Sequence, residues 1–194
     1  MSTVTGTIYL ICGDRAAAEA LQKHVLTAQV TSFRTWAIDR LAAQHGLPRD
    51  LFETKEGLQA IVSRSCCFPQ TAEQVLHAFL LEAKRQHGEE IFATHVADEI
   101  SARKCAFTLP WIIYDWSTEA EALVIQKRFP AKKIITIRVR NAISPSTELD
   151  SDRYCMFDCM ATDGDMDEKF RGLLTRHDEV RGFRVLVAWK TTGV

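Results

Sequence analysis

The chain predicts a three-layer α/β fold with a mainly parallel sheet, and three observations carry that expectation. Short β-rich apolar runs recur at Ile8–Cys12, Trp111–Tyr114 and residues 133–139 (KIITIRV). Segments with apolar residues at helical spacing lie between them. The first run stops at Gly13 and passes almost at once into an Ala-rich segment, the strand, tight turn and helix of a βα unit. Parallel strands need long crossovers, which helices supply, so this alternation points to a parallel sheet with helices on its faces.

Residues 7–26 (TIYLICGDRAAAEALQKHVL) open the chain as strand, turn and helix, with Leu21 and Val25 four apart on the helix. Residues 29–33 are short and β-biased. Trp36, Ile38, Leu41 and Ala42 then repeat at helical spacing, and Gly46 and Pro48 close that helix. Residues 51–64 read as another helix, interrupted by Gly57. Thr71-Ala-Glu-Gln74 is a capping box, whose hydroxyl and amide side chains satisfy backbone N–H groups reciprocally. It opens a helix through Val75, Leu76, Phe79 and Leu80 to about residue 85, broken at Gly88. Residues 91–105 form a further amphipathic helix.

The strand at residues 111–115 ends in the carboxylate of Asp115. A second capping box, Thr118-Glu-Ala-Glu121, starts a helix through Leu123, Val124 and Phe129. After the strand at residues 133–139 come a weaker strand at 154–159, a short helix at 165–174 and a last strand at 184–189 (RVLVAW). The helices between residues 50 and 105 follow one another with no clear strand and predict a helical lobe over one end of the sheet. Residues 141–152 (NAISPSTELDSD) are the least structured stretch and a candidate mobile loop. The whole chain, 1–194, reads as one domain.

Composition narrows the function classes. The apolar share is 46% and the charged share 25%, ordinary values for a soluble globular protein. A net charge of −1 gives no general affinity for polyanions, which argues against a broad nucleic-acid surface. No apolar run approaches the roughly 18 residues of a membrane span. The N-terminal MSTVTG has none of the regions of a signal peptide, so a cytoplasmic location is expected. Six cysteines without a signal peptide read as buried thiols. Cys66 and Cys67 are adjacent and Cys155 and Cys159 have three residues between them, neither a zinc spacing, so no metal site is expected. The histidines show no HxxxH or HExxH pairing, and the acidic run at residues 163–168 reads as a carboxylate-rich helix start.

Chemistry concentrates at the first strand–helix junction. A helix N-terminus presents unpaired backbone N–H groups, which suit an anion. A phosphate loop requires G-x-x-x-x-G-K-[ST] at this place. Here stands Gly13-Asp14-Arg15-Ala16-Ala17-Ala18-Glu19-Ala20: the first glycine is present, the second is Ala18, the lysine is Glu19 and the hydroxyl residue is Ala20.

In its order of parts the chain resembles the deoxynucleoside monophosphate kinases of tailed phages, a branch of the phosphate-loop nucleotide kinases, over roughly residues 7–175. TIYLICGD stands at the family's first strand and phosphate loop. SFRTWAIDRLAAQHGLPRDLF resembles its FAxxLKxxxxxxFGLxxxxF segment. TAEQVLHAFLLEAKR stands at its substrate helix. IIYDWSTEAEALVIQKRFPAKKIITIRVR resembles "VIxDVRFxxEAxxI…G…VIxIxR", and CMFDCMATDGDMDEKFRGLL resembles the closing "DxxIxNxGxxxEL". The resemblance implies a phosphate-loop nucleotide-kinase-like fold, nucleotide binding and a homodimer.

The departures fall where the family's chemistry lies. Phosphoryl transfer is catalysed mainly by positioning and by cations around the transferred group. The family's loop lysine is Glu19, its substrate-helix arginine aligns with Glu73, and the arginine of DVR aligns with Ser117. A carboxylate at the loop repels a triphosphate, and without the hydroxyl Mg²⁺ loses a ligand. Glu19 and Asp115 therefore stand as vestigial catalytic positions, Asp115 where a Mg²⁺-supporting carboxylate is implied. Gly13, Arg15, Arg85, Arg138 and Arg140 are the candidates for holding a nucleotide or another anion.

Each candidate has a plainer reading. Residues 13–20 fit an ordinary strand–helix turn, Asp115 fits a helix cap, and Arg138 and Arg140 fit a solvated strand face. The sequence as a whole predicts a degenerate kinase-like pseudoenzyme of phage type that binds a protein partner or a nucleotide and needs no cofactor. Two further readings stay open. One is an active nucleotide or DNA-base kinase using Mg²⁺ and ATP through an altered loop; the other is a structural or inhibitory protein. Within the loop, Glu19 is expected to fill the lysine's place near the helix N-terminus and to pair with Arg15, Arg138 or Arg140.

Overall fold

β1 (Ile8–Cys12) is the central strand of a five-stranded sheet ordered β2-β5-β1-β6-β7. The computed structural model describes residues 6–63, 69–103, 108–141, 157–161, 168, 170–172 and 174. β2 (Gln29–Ser32), β5 (Trp111–Tyr114), β6 (Ile134–Asn141) and β7 (Phe157–Ala161) complete the sheet, and every neighbouring pair is parallel. The register places Ile8 opposite Trp111 on one side and Ile134 on the other. β1 is therefore flanked by the two strands that sequence pattern assigns to its sides.

Strands covered on both faces read as continuous apolar runs, and these do. Ile8, Leu10, Trp111, Ile113 and Ile134 face one core, shared with α2 (Thr35–His45), α4 (Ala72–His87), α5 (Ile91–Ala102) and α6 (Glu119–Arg128). Tyr9, Ile11, Ile112, Ile135 and Ile137 face a second core with α1 (Arg15–Gln22) and Phe170. Both cores contain fully buried side chains, each contributing about 1.5–3 kcal/mol of burial energy. This is the expected α/β class with three layers.

Both capping boxes form. The Thr71 hydroxyl accepts from the Gln74 N–H while the Gln74 side chain accepts from the Thr71 N–H, and Thr118 and Glu121 repeat the pattern. Gly46 ends α2 in the left-handed conformation (φ 63°), which costs a glycine nothing. α1 stops at Gln22, so Val25 lies beyond it. Glu168, Phe170, Arg171, Gly172 and Leu174 have helical backbone, within the helix expected at residues 165–174. The strand expected at residues 184–189 and the loop expected beyond Asn141, residues 142–152, lie outside the described residues.

Residues 51–64 are not the helix that pattern suggested. They divide into a 3₁₀ turn (Arg49–Phe52), a one-turn helix α3 (Lys55–Leu58) and a strand β3 (Ile61–Ser63), which pairs antiparallel with β4 (Gln70–Thr71). The physical reason is local. Thr54 caps α3 by accepting from the Gly57 N–H at 3.0 Å, and the carbonyl of Gly57 then accepts from the N–H of Ala60, closing the turn. Ile61 and Val62, both β-branched, continue as strand. The helical lobe thus carries a small hairpin.

Connectivity defines where a ligand could sit. β1 leads through α1 to β2, while β5 leads through α6 to β6, so the two connections run in opposite directions from adjacent strands. In open parallel sheets the crevice for ligands lies at such a switch point, outside the carboxyl ends of the strands. Gly13, Ser32 and Asp115 stand there.

Candidate functional site

The turn after β1 is only two residues long. Gly13 is crowded: a Cβ there would stand 3.2 Å from the Ile11 Cγ2 and 3.2 Å from the Val139 Cβ, so a larger residue would force the strands to yield. Asp14 caps α1, its Oδ1 accepting from the Ala17 N–H at 3.1 Å while its carbonyl accepts from Ala18 at 3.3 Å. A carboxylate thus already sits at the helix N-terminus, where the dipole favours negative charge.

Glu19 lies elsewhere. It is the fifth residue of α1, more than a turn from the N-terminus, and its half-exposed carboxylate accepts from the Arg15 Nε at 2.8 Å. The helix begins at Arg15, immediately after Asp14, so no extended loop remains to bring residue 19 to its mouth. Arg15 is thus one of the three partners expected for Glu19.

Asp115 follows β5 and is the one non-glycine among the described residues with a left-handed backbone (φ 62°). Aspartate tolerates that region better than most residues, yet such strain concentrates at functional positions. Its N–H donates to the Gly13 carbonyl at 3.1 Å, tying the two central loops together. Its Oδ2 accepts from the Ser32 hydroxyl at 2.7 Å and lies 3.9 Å from the Arg34 Nε. Burial pushes the Asp115 carboxyl above its usual range, and the nearby Asp14 adds to the rise, against the pull of Arg34 and of the Ser32 hydrogen bond.

The sign of the resulting pH dependence is fixed. A carboxyl whose pKa is raised by folding favours the folded state when protonated. Its contribution is complete below the unfolded value of about 3.9 and is lost as pH rises through the folded value. Asp115→Asn keeps an acceptor for Ser32 and tolerates the left-handed backbone. At pH 7 the variant should be the more stable in urea unfolding, and the gap should close as pH falls toward 4. A gap that widens on acidification would show that Arg34, rather than burial, dominates.

Beside the strand ends runs a cleft of about 580 Å³ along the edge strand β2, between α1, α2, α5 and the 3₁₀ turn. Five acidic and basic side chains form a chain across its mouth, with Glu19 at one end. Arg15 Nη1 reaches the Glu53 Oε2 at 2.9 Å, Arg49 Nε reaches the Glu53 Oε1 at 2.6 Å, and Arg49 Nη1 reaches the Asp39 Oδ1 at 3.1 Å. Deeper in, Trp36 and His95 stack at 4.2 Å with their planes 9° apart. Burial pulls the His95 imidazole below its usual value. Tyr114 lines the cleft with its hydroxyl pushed above the usual value, chiefly by burial and then by Asp115.

Arg85 and Arg138 are not among the residues that line this cleft. Arg138 is buried in β6, opposite Cys12 of β1 and Asp158 of β7 in register. It is therefore not on a solvated face, though it stands at the carboxyl end of the sheet. Arg140 follows two residues on in the same strand. Arg85 is exposed on α4 and paired with Glu82 at 2.6 Å. Glu73 accepts from the Gln59 side chain at 3.0 Å, and the Ser117 hydroxyl donates to Glu121 at 3.1 Å. Neither position faces the cleft's arginines.

Sequence reasoning missed Ser32, Arg49, Glu53 and Tyr114. Tyr114 ends β5 beside β1 and Ser32 ends β2 one strand further out, and that strand-end position was a signal open to reading. Glu53 was hidden inside a segment read as helix.

No protein-family model and no curated protein sequence matches this chain. Among solved structures it is similar to shikimate kinase from Acinetobacter baumannii in complex with shikimate, at 9% identity over 93% of this chain and 97% of that one, with a TM-score of 0.44. It is also similar to dephospho-CoA kinase from Campylobacter jejuni, at 9% identity over 89% of this chain and 97% of that one, with a TM-score of 0.43. The chain is an α/β protein with a mainly parallel sheet. At these identities and TM-scores the likeness brings no substrate or residue role with it. Among the described residues no helix is long and apolar enough to cross a membrane.

Proposed function

We propose that this protein is a degenerate relative of the phage deoxynucleoside monophosphate kinases, acting as a non-catalytic binding or regulatory protein. The observation that carries the reading is the Asp14 carboxylate on the Ala17 N–H, two residues after the central strand. A phosphate loop keeps such amides open for a ligand's phosphate. Here a side chain of the protein occupies the helix start.

The residues present do not fit Mg²⁺ and a triphosphate. Asp14 and Asp115 supply negative charge on adjacent loops, the lysine position carries Glu19, and Arg15 is already paired with Glu19 and Glu53. The expected partner is then another protein; a homodimer, which rests on the resemblance alone, and a cytoplasmic setting are further parts of the proposal. One observation favours the other reading, an active kinase with an altered loop: Asp115 is partly buried, strained and raised in pKa at the switch point, as working carboxylates often are.

Calorimetric titration with MgATP separates the two. The wild type should give no heat of binding up to millimolar nucleotide. Asp14→Gly removes the resident carboxylate at a stability cost of only a few tenths of a kcal/mol, because glycine is itself an acceptable cap. It should bind MgATP weakly or not at all while Glu19 remains. Micromolar affinity in the wild type would displace this reading in favour of the active kinase.

A further inference from the structure

We propose that the cleft beside β2 is a carboxylate-binding site for a small apolar acid, and that Glu53 is the resident anion that fills it. The inference goes beyond the kinase reading and stands whether or not the strand-end turn binds a nucleotide.

The geometry is that of a bound ligand. The two oxygens of Glu53 take one guanidinium each, Arg15 at 2.9 Å on Oε2 and Arg49 at 2.6 Å on Oε1. The two arginines come from α1 and from the 3₁₀ turn, elements 34 residues apart in the chain (15 to 49). Glu53 is only 17% exposed, against 54% and 47% for the arginines, so the carboxylate sits on the inner side of the pair. Charge-assisted bonds to two separate guanidiniums are the usual means of holding a ligand carboxylate.

Each arginine also keeps a second acidic neighbour, Glu19 for Arg15 and Asp39 for Arg49. Those partners hold the guanidiniums in place when Glu53 withdraws, so the site need not collapse. They also set the ligand's charge. Two arginines against Glu19 and Asp39 are neutral, so with Glu53 in place the group carries one negative charge, and a monoanion that replaces Glu53 leaves that charge unchanged. A phosphate dianion would leave the cleft one charge more negative than it is.

The interior selects the ligand's body. Val30, Trp36, Val96 and Tyr114 give the cleft apolar and aromatic surface beside the polar Thr31, Thr35 and His95. Opposite them Glu99 is closed off by Arg103 at 2.6 Å and by the Thr31 hydroxyl at 3.3 Å, so that wall offers no free cation to a second acidic group. A compact acid with an aromatic or aliphatic body fits this arrangement, with its carboxylate exchanging for that of Glu53.

The test uses benzoate as the carboxylate probe and inorganic phosphate as the competing anion, by titration calorimetry on the full chain. Glu53→Gln should bind benzoate at least tenfold more tightly than the wild type. Adding Arg15→Ala or Arg49→Ala to that variant should abolish the gain. Glu53→Ala supplies a second way of emptying the site should the glutamine amide still bridge the arginines or the first variant fold poorly. Equal benzoate affinity in wild type and both Glu53 variants would overturn the proposal. So would a gain that survives loss of both arginines, or a variant that takes phosphate in preference to benzoate.

Discussion

Supplied with MgATP and any deoxynucleoside monophosphate, the protein should release no ADP above the rate of spontaneous hydrolysis. Working kinases of this kind of chemistry turn over at roughly 1–100 s⁻¹, and they do so by surrounding the transferred group with cations. On the proposed reading the lysine position is Glu19 and the hydroxyl position is Ala20, both on a helix that has already begun at Arg15. Losing such groups costs about 4 kcal/mol or more of transition-state stabilisation, which is three or more decades in rate. The triple variant Ala18→Gly, Glu19→Lys, Ala20→Thr should not recover turnover either. Asp14 still caps the helix, so the restored lysine would stand on its second turn, away from a phosphate at its start. A coupled assay showing about 1 s⁻¹ in the wild type would end the non-catalytic reading.

The sheet was legible because its strands are buried on both faces, which leaves uninterrupted runs such as Ile8–Cys12 and Trp111–Tyr114. The helix starts at Thr71 and Thr118 were legible because a capping box is a purely local device. Residues 49–63 were not. A caps-and-turns segment with a β-branched pair has the same apolar content as a helix, and only its pairing with residues 70–71 decides the matter.

The site divides in the same way. Gly13, Asp115 and the Arg15–Glu19 pair follow from spacing of four or from strand ends. The bridge from Arg15 to Glu53 joins residues 38 apart, and no periodicity signals it. Asp14 was legible and was read past. An aspartate just before an Ala-rich run is a helix-cap pattern, and weighing it against the phosphate loop would have put the resident carboxylate at the right residue.

Glu121→Ala should be the most damaging single change around the site, lowering stability by about 3–5 kcal/mol, the usual result of stripping one partner from a buried charged network. Glu121 is only 1% exposed. Its Oε2 accepts from the Ser117 N–H at 2.9 Å, the Ser117 hydroxyl at 3.1 Å and the Thr118 N–H at 3.1 Å. Alanine leaves three part-buried donors without this acceptor, each costing up to about 1–3 kcal/mol where water does not replace it. Lys84 contributes less. Its Nζ is 3.7 Å from the Glu121 Oε1 and has Glu89 at 2.9 Å as a nearer partner. Lys84→Met should therefore cost under about 1 kcal/mol, in the range of weak ion pairs. In a chain of this size the alanine variant should melt about 6–20 °C lower, at roughly 2–4 °C for each kcal/mol. Glu121→Gln, which keeps an oxygen for the same donors, should fall between. The consequence reaches the site, because this network fixes residues 117 and 118 just after the strained Asp115. In Glu121→Ala the loop should loosen and admit water, so the Asp115 carboxyl should titrate closer to an ordinary aspartate, as read by side-chain carboxyl NMR. If stability falls as expected while the Asp115 titration stays where it was, the strained carboxylate is held by Ser32 and Gly13 alone, and Glu121 serves only its helix.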